Sequence, residues 1–249
     1  MTTSIRVAET PRVRAVLGLA DDALILGHRL SEWCGHAPMM EEDMALANIA
    51  LDLIGQARSL YAHAGVIEGA GHDEDDLAYL RDVADYRNLL LVEQPNGDFA
   101  VTIIRQFFYS AFVDPFWRAM IRSADAELAA IAAKSEKESA YHLRHASEWV
   151  IRLGDGTEES HARAQAAVDG LWSFTGEMFE AGDWALVDVA GLRDGWSARV
   201  DAVLGQATLK RPGNEWMRSG GRAGRHGEHL GHLLAELQYL QRSHPGAAW

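Results

Sequence analysis

Residues 124–153 restrict the fold of this chain more than any other stretch, because thirty consecutive positions contain neither glycine nor proline. Alanine, leucine, glutamate, lysine and arginine dominate the segment, and all of them favour helices. Gly154 follows directly, as is common just beyond the last turn of a helix. The sequence therefore predicts one long helix, which we expect to run through the middle of a helical bundle.

One face of this helix combines apolar residues with ionisable ones at steps of three and four positions. The residues on it are Ile131, Lys134, Ser135, Glu138, Tyr141, His142, His145 and Trp149. A charged side chain that is buried without a partner is energetically costly. This stripe therefore indicates either a functional site or the remnant of one.

Other segments also have helical sequence patterns. They cover residues 11–36, 41–64, 77–88, 99–121, 158–180, 196–209 and 228–242. Pro115 is expected to kink or break the helix in which it lies. The apolar residues 89–92 could form a strand, but we favour a buried connection because the chain offers no second strand to pair with them.

These segments predict an all-α protein. We expect residues 1–249 to form a single domain, with a four-helix bundle over about residues 11–153 and additional helices over about residues 157–243. Aromatic residues outside the bundle predict a large surface for a partner, since aromatic side chains dominate many interfaces. They are Trp172, Phe174, Phe179, Trp184, Trp196, Trp216 and Trp249.

The composition excludes several classes of function. There are 23 basic and 36 acidic residues, which give a formal net charge of −13 with histidine neutral. Such an acidic chain is not expected to bind nucleic acid or an anionic membrane surface. Cys34 is the single cysteine, so an internal disulfide is excluded and a cytoplasmic location is expected. Beside Trp33, it is predicted to be a small buried core residue.

Acidic residues and histidines on long helices raise the possibility of a di-iron carboxylate site. That site requires a glutamate from each of two helices and a Glu-x-x-His pair from each of the other two. Glu32, Asp52, Glu138 and His142 could contribute ligands. The pattern is incomplete, because Gly55 stands three residues after Asp52 and Tyr141 stands three residues after Glu138.

Lys134 adds a positive charge one turn before Glu138. We therefore favour a bundle without metal, in which Glu32, Asp52, Lys134, Glu138 and His142 form a buried polar network that pairs a cation with carboxylates. A di-iron oxygenase or oxidase that uses these carboxylates and His142 is the first alternative. An iron-storage or other metal-handling bundle is the second.

A glycine- and arginine-rich segment, residues 218–231, precedes the last predicted helix. Arg218, Arg222 and Arg225 could hold a phosphate together with backbone N–H groups at the helix N-terminus. The spacing is neither that of a Walker loop nor that of a dinucleotide fingerprint. A solvated connection that packs on a partner protein is an equally good interpretation.

Several blocks of sequence together resemble one family. They are SEWCGHAP (31–38), ALANIALDLIGQARS (45–59), NLLLVEQPNGDFA (88–100), LAAIAAKSEKESAYHLR (128–144), GEHLG (227–231) and AELQYLQR (235–242). In these blocks the chain is similar to the C subunits of multicomponent phenylacetyl-CoA epoxidases, the ring-1,2-epoxidases of phenylacetate breakdown. The resemblance extends from about residue 22 to residue 249.

The resemblance implies a ferritin-like fold and a non-catalytic, structural subunit that supports a di-iron catalytic subunit. It also implies that a reductase supplies electrons from NADPH and that this chain binds no cofactor itself. We expect the chain to self-associate when alone and to bind the catalytic subunit tightly. Contact with the CoA part of phenylacetyl-CoA is expected at Tyr86, Arg87 and Asn88, which offer side-chain donors on a connection.

Overall fold

The computed structural model describes residues 4–182, 185–213 and 216–247, and these residues include no β-strand. The α-helices are α1 (Pro11–Ser31), α2 (Met40–Glu68), α3 (Glu74–Tyr79), α4 (Phe99–Met120), α5 (Ala126–Gly154), α6 (Glu158–Trp172), α7 (Arg193–Gln206), α8 (Glu228–Leu237) and α9 (Tyr239–Ser243). Short 3₁₀ turns occupy Val83–Asp85, Gly176–Phe179, Ala190–Leu192 and Gly221–Ala223. The all-α prediction is therefore confirmed.

Four long helices form the bundle. α1 packs along α2 and α4 packs along α5, while contacts between α2 and α5 join the two pairs. α6 and α7 pack against α4 and α5 from outside. This arrangement is the ferritin-like four-helix bundle with additional C-terminal helices that the sequence predicts.

Local sequence signals set the helix starts. Pro11 begins α1, and the side chain of Thr10 accepts a hydrogen bond from the N–H of Val13. Asp98 caps α4 in the same way, and Asp125 caps α5. Gly69 terminates α2 just beyond Glu68, and its φ of 74° lies in the left-handed region that glycine adopts without strain.

Several predicted boundaries were wrong. The first helix ends at Ser31, so Cys34 lies in an exposed turn and is not part of the core. Residues 77–88 do not form one helix. α3 begins earlier, at Glu74 after the capping residue Asp73, and ends at Tyr79, and only the 3₁₀ turn Val83–Asp85 follows before residue 88. The predicted helices over residues 158–180 and 228–242 are each interrupted, after Trp172 and after Leu237 respectively.

Pro115 does not break α4, which continues to Met120. A proline inside a helix removes a backbone hydrogen bond at a cost of about 3 kcal/mol or more. Phe112, Phe116 and Trp117 surround this position and are at most 2% exposed. Burial of these aromatic side chains on both sides of the proline offsets the missing bond.

Three of the aromatic residues assigned to a partner surface belong to the core instead. Trp172, Phe179 and Trp196 are only 3–4% exposed, and the rings of Trp172 and Trp196 lie 5.6 and 5.9 Å from the ring of Phe108. Trp196 Nε1 also donates to the carbonyl of Phe108 over 3.1 Å. The outer helices therefore use these rings to attach to α4. Trp184 and Trp249 lie outside the described residues.

One hydrophobic cluster extends from Val13 on α1 to Leu234 on α8. The division into a single domain stays a prediction, although this shared core is what such a domain requires. Among the described residues, no helix combines the length and apolar character needed to cross a bilayer.

Candidate functional site

Four of the five residues predicted to form a polar network lie between α2 and α5. His142 Nε2 lies 3.0 Å from Asp52 Oδ2, and Lys134 Nζ lies 3.5 Å from Glu138 Oε1. Gln56 Nε2 donates to Glu138 Oε2 over 2.8 Å. The side chain of Lys134 is 67% exposed and that of Asp52 is 37% exposed. His142, in contrast, is only 1% exposed. The group is a cluster that is solvated at Lys134 and Asp52, so the prediction that the whole network is buried was wrong.

Glu32 does not join this cluster. It caps the C-terminal end of α1, where it accepts hydrogen bonds from Arg29 Nη1 over 2.8 Å and from Asn96 Nδ2 over 2.9 Å. The sequence placed Glu32 with the others because its helix was predicted to continue to residue 36. Since α1 ends at Ser31, the carboxylate instead holds the turn that precedes α4.

A ferritin-like fold can hold a pair of iron ions, but the described side chains do not fit such a centre. Two possible iron ligands are buried on α4 and α5, but Asp114 is paired with Arg118 and His142 Nε2 lies 3.0 Å from Asp52 Oδ2. The other polar groups buried there include the amide of Gln106 and the hydroxyls of Ser110, Ser135 and Ser139. Gln106 Nε2 is bonded to Ser110 Oγ at 2.9 Å. Amides and hydroxyls are poor substitutes for the carboxylate and imidazole ligands of redox iron. Within the described residues, no group of three or more His, Cys, Asp or Glu side chains could hold a metal ion.

The deeply buried carboxylates have other partners. Asp21 on α1 is 0% exposed and forms an ion pair with Arg81, which is also 0% exposed. Tyr61 donates its hydroxyl to Asp21 Oδ1 over 2.5 Å, and the backbone N–H of Arg87 donates to Asp21 Oδ2 over 2.7 Å. The oxygens of Asp21 are therefore used to attach the chain after α3 to α1.

Asp22, the next residue on α1, is paired with Arg222 from the segment before α8. Arg222 Nη2 lies 2.6 Å from Asp22 Oδ2, and the N–H of Leu89 donates to Asp22 Oδ1 over 2.7 Å. Burial raises the pKa of Asp22 to about 6, while Arg222 and the Leu89 N–H oppose this rise. Arg222 is thus an internal structural cation, and the prediction that it contacts an anion or partner outside the chain was wrong.

Glu93 and Glu177 complete the buried set. Glu93 accepts hydrogen bonds from the N–H of Gly227 and from Asn88 Nδ2, and lies 2.8 Å from His226 Nδ1. Burial alone would lower the pKa of His226, but its hydrogen bond to Glu93 raises it above the ordinary value. Glu177 accepts the N–H groups of Leu90, Gly220 and Arg222.

We call Asp21, Asp22, Glu93 and Glu177, with Arg81, Arg222 and His226, the polar clamp. It holds residues 86–96 between α1 and the segment before α8. None of these carboxylates was proposed as a site from the sequence. The available signal was the pair Asp21–Asp22 in the middle of an otherwise apolar helix.

The clamp also determines which parts of the predicted CoA site reach the surface. The side chains of Tyr86 and Asn88 are 0% exposed, and Tyr86 donates its hydroxyl to the carbonyl of Ala78. They are not open donors, as the sequence interpretation required. Arg87 is partly exposed, and its Nη2 donates to Glu9 Oε1 over 2.7 Å.

An open pocket of about 620 Å³ lies beside the clamp. Its lining includes Leu90, Gln94, Phe174, Trp216, Arg218, Arg225, His226 and His229. The guanidinium of Arg218 lies 4.9 Å from the ring centre of Phe174 and 5.0 Å from that of Trp216. Two of the three arginines singled out from the sequence therefore share a pocket with aromatic walls.

A pair of substitutions distinguishes the buried clamp from the solvated cluster. Arg222→Met should lower the free energy of unfolding by about 3–5 kcal/mol, because it leaves Asp22 buried without its cation. Lys134→Met should lower it by less than about 1 kcal/mol, because the pair with Glu138 is exposed to water. Urea denaturation followed by far-ultraviolet circular dichroism measures both values. Equal losses in the two variants would contradict the assignment.

Comparison with known proteins agrees with the resemblance seen in the sequence. A model of the family described as phenylacetic acid catabolic protein matches residues 1–249. The chain is 50% identical over 241 residues to the C subunit of the 1,2-phenylacetyl-CoA epoxidase of Escherichia coli (strain K12), and the match covers 94% of this chain and 97% of that protein. This chain therefore belongs to the phenylacetic acid catabolic protein family.

Proposed function

We propose that this chain is a non-catalytic C subunit of a phenylacetyl-CoA epoxidase, an oxygenase complex of phenylacetate catabolism. The similarity to the Escherichia coli protein supports this assignment. The observation that carries the non-catalytic role is the use of the buried carboxylates. Asp21, Asp22, Glu93 and Glu177 are each bound by arginine, histidine or backbone N–H groups of the chain itself.

In this proposal the di-iron centre and oxygen activation belong to a partner subunit, and a reductase delivers electrons from NADPH. This chain contributes a rigid bundle that stabilises and orients the catalytic subunit. A cytoplasmic location, self-association of the isolated chain and the lack of a cofactor of its own are further parts of the proposal. The single cysteine, Cys34, supports the location.

The alternatives are a di-iron oxygenase and an iron-handling protein in its own right. Either would need Glu32 beside Asp52, Glu138 and His142. The described hydrogen bonds place Glu32 on Arg29 and Asn96 instead. Iron content and turnover separate these alternatives from the structural role.

The test compares the isolated chain with the complex co-expressed with its partner subunits. We expect the isolated chain to hold far less than one iron and to show no phenylacetyl-CoA-dependent oxygen uptake. The complex should have both iron and turnover. A triple variant, Asp52→Asn with Glu138→Gln and His142→Gln, should leave the iron content of the complex unchanged. Two irons per isolated chain that are lost in this variant would overturn the proposal.

We also propose that this chain contacts the phosphates of the CoA tail. Arg87 lies close to the segment that carries Arg225, since a Cβ at Gly224, the residue before Arg225, would lie 2.8 Å from Arg87 Nη1. Arg218 stands in the pocket that Arg225 also lines. Guanidinium groups bind phosphate through paired hydrogen bonds.

The kinetics of the assembled complex test this contact. Arg87→Ala and Arg225→Gln should each raise the KM for phenylacetyl-CoA by up to about tenfold. They should leave kcat nearly unchanged, because the lost contact stabilises the bound substrate and the transition state equally. Arg163→Gln, which removes an exposed arginine from α6, is the matched control. An unchanged KM in both test variants, or an equal rise in the control, would remove the CoA contact from the proposal.

A further inference from the structure

The pocket beside the clamp combines two kinds of lining. The rings of Trp216 and Phe174 are part of it, and so are the polar side chains of Gln94, Ser219 and His229. Its volume of about 620 Å³ lies within the roughly 300–1,000 Å³ that small-molecule sites occupy. A ligand that suits both kinds of lining has a flat ring with polar atoms along the edge of that ring.

Trp216 offers a ring surface on which a ligand can stack. The residue is 66% exposed, although tryptophan is usually highly buried. The guanidinium of Arg218 lies over its ring, 5.0 Å from the ring centre, and also 4.9 Å from the ring centre of Phe174. Because Arg218 covers one face of the indole and most of the residue is exposed, the opposite face is open to a second flat group.

The chain holds this exposed ring in place before any ligand binds. The backbone N–H of Arg218 donates to the carbonyl of Ser173 over 2.7 Å, at the end of α6. A Cβ at Gly176 would lie only 2.7 Å from the Cβ of Met217, so the backbone after α6 and the residue that follows Trp216 are in close contact. A ring that is already ordered loses little conformational entropy when a ligand covers it.

The charges around the pocket nearly balance. Arg218 and Arg225 line it together with the carboxylates of Glu93 and Glu228. Glu93 is 0% exposed and is bound inside the clamp, which leaves Glu228 as the exposed carboxylate of the lining. A further carboxylate, that of Glu180, accepts a hydrogen bond from a serine of the lining. An uncharged ring therefore fits beside the indole without unfavourable electrostatics.

The two arginines retain donors for the groups attached to such a ring. Within the part of the chain that the structure describes, the guanidinium groups of Arg218 and Arg225 form no hydrogen bond or ion pair. Their N–H groups can therefore bind phosphate. A flat ring with a polar edge that is joined to phosphates is a nucleotide, and bases stack on aromatic side chains regardless of their sequence.

Among the parts of phenylacetyl-CoA, the adenine ring has this combination of features. The phenyl ring is flat but has no polar edge, and the pantetheine chain has no ring. The phenyl ring must also reach the centre where oxygen is activated, which the proposed function places in a partner subunit. The nucleotide end is therefore the part of the substrate that suits this pocket.

We propose that the pocket binds the adenine ring of phenylacetyl-CoA, stacked on the open face of Trp216. Gln94, Ser219 and His229 provide polar groups for the edge of the ring, and Arg225 binds the phosphates next to it. The inference rests on the proposed function, since phenylacetyl-CoA is the substrate assigned there. It adds a role for this chain in recognising the nucleotide end of a substrate that reacts in another subunit.

A truncated substrate tests the proposal. Phenylacetyl-pantetheine keeps the phenyl ring and the thioester but lacks the adenine nucleotide. In the complex co-expressed with its partner subunits, Trp216→Leu should raise the KM for phenylacetyl-CoA by about tenfold, as expected when one stacked base loses its aromatic partner. The same variant should leave the KM for phenylacetyl-pantetheine unchanged. Trp216→Phe, which keeps a ring for stacking, should restore most of the affinity for phenylacetyl-CoA.

The matched control is Tyr239→Leu, which removes an aromatic ring that is 64% exposed on α9. It should leave both KM values unchanged. Inhibition then identifies the source of the adenine. Adenosine 3′,5′-bisphosphate, the nucleotide of CoA, should compete with phenylacetyl-CoA, and about tenfold more weakly in Trp216→Leu. Adenosine 2′,5′-bisphosphate, which represents NADPH, should show no such difference between wild type and variant.

The outcomes separate this site from the proposed function. If the complex turns over neither substrate, the proposed function fails and the adenine site with it. If it turns over phenylacetyl-CoA and Trp216→Leu leaves the KM unchanged, or raises it equally for both substrates, the site is wrong while the function stands. If Trp216→Leu no longer co-purifies with the partner subunits, Trp216 is a partner contact and the adenine site is wrong. If only inhibition by the 2′,5′-bisphosphate depends on Trp216, the assignment to CoA is wrong.

Discussion

The fold depends on two adjacent carboxylates inside α1. Asp21 and Asp22 are at most 1% exposed, and two neighbouring buried charges would be prohibitive without compensation. Each accepts hydrogen bonds from an arginine side chain and from a backbone N–H. These four donors lie outside the four helices of the bundle. Arg81, Arg87 and Leu89 follow α3, and Arg222 precedes α8. The position of the long connection and the closure of the C-terminal segment are therefore both set by the same turn of α1.

This use of acidic residues separates the chain from a metal-binding bundle of the same architecture. A metal centre needs carboxylate oxygens that point into the bundle and have no other partner. Here the oxygens of Asp21, Asp22, Glu93 and Glu177 are occupied by donors of the chain itself. The interior is stabilised by these internal bonds, while the distinctive surface is the arginine-lined pocket.

Much of the helical architecture could be predicted from the sequence, because propensity, caps and apolar periodicity act over a few residues. The start of α5 after Asp125 is an example. The closeness of Asp52 to His142 was expected instead from the ligand pattern of a four-helix bundle, since the two residues are 90 positions apart. The clamp could not be predicted in the same way, since Asp22 and Arg222 are 200 residues apart and nothing local links them. Contacts between distant residues also explain the errors at Tyr86 and Asn88. Their polar groups were predicted to be free to bind CoA, but they are buried and bonded to Ala78 and Glu93. Such contacts also explain the errors at Trp172 and Trp196, which pack on Phe108 of a distant helix.

Native-state hydrogen exchange at the amides of Arg87, Leu89 and Leu90 tests the central claim most directly. These amides lie outside the helices, yet each donates to a buried carboxylate, Asp21, Asp22 or Glu177. If the clamp organises the fold, they should exchange only through global unfolding, as slowly as the most protected amides of α4. Exchange at the rate of an open loop, while α4 stays protected, would show that the connection opens independently and would contradict the account.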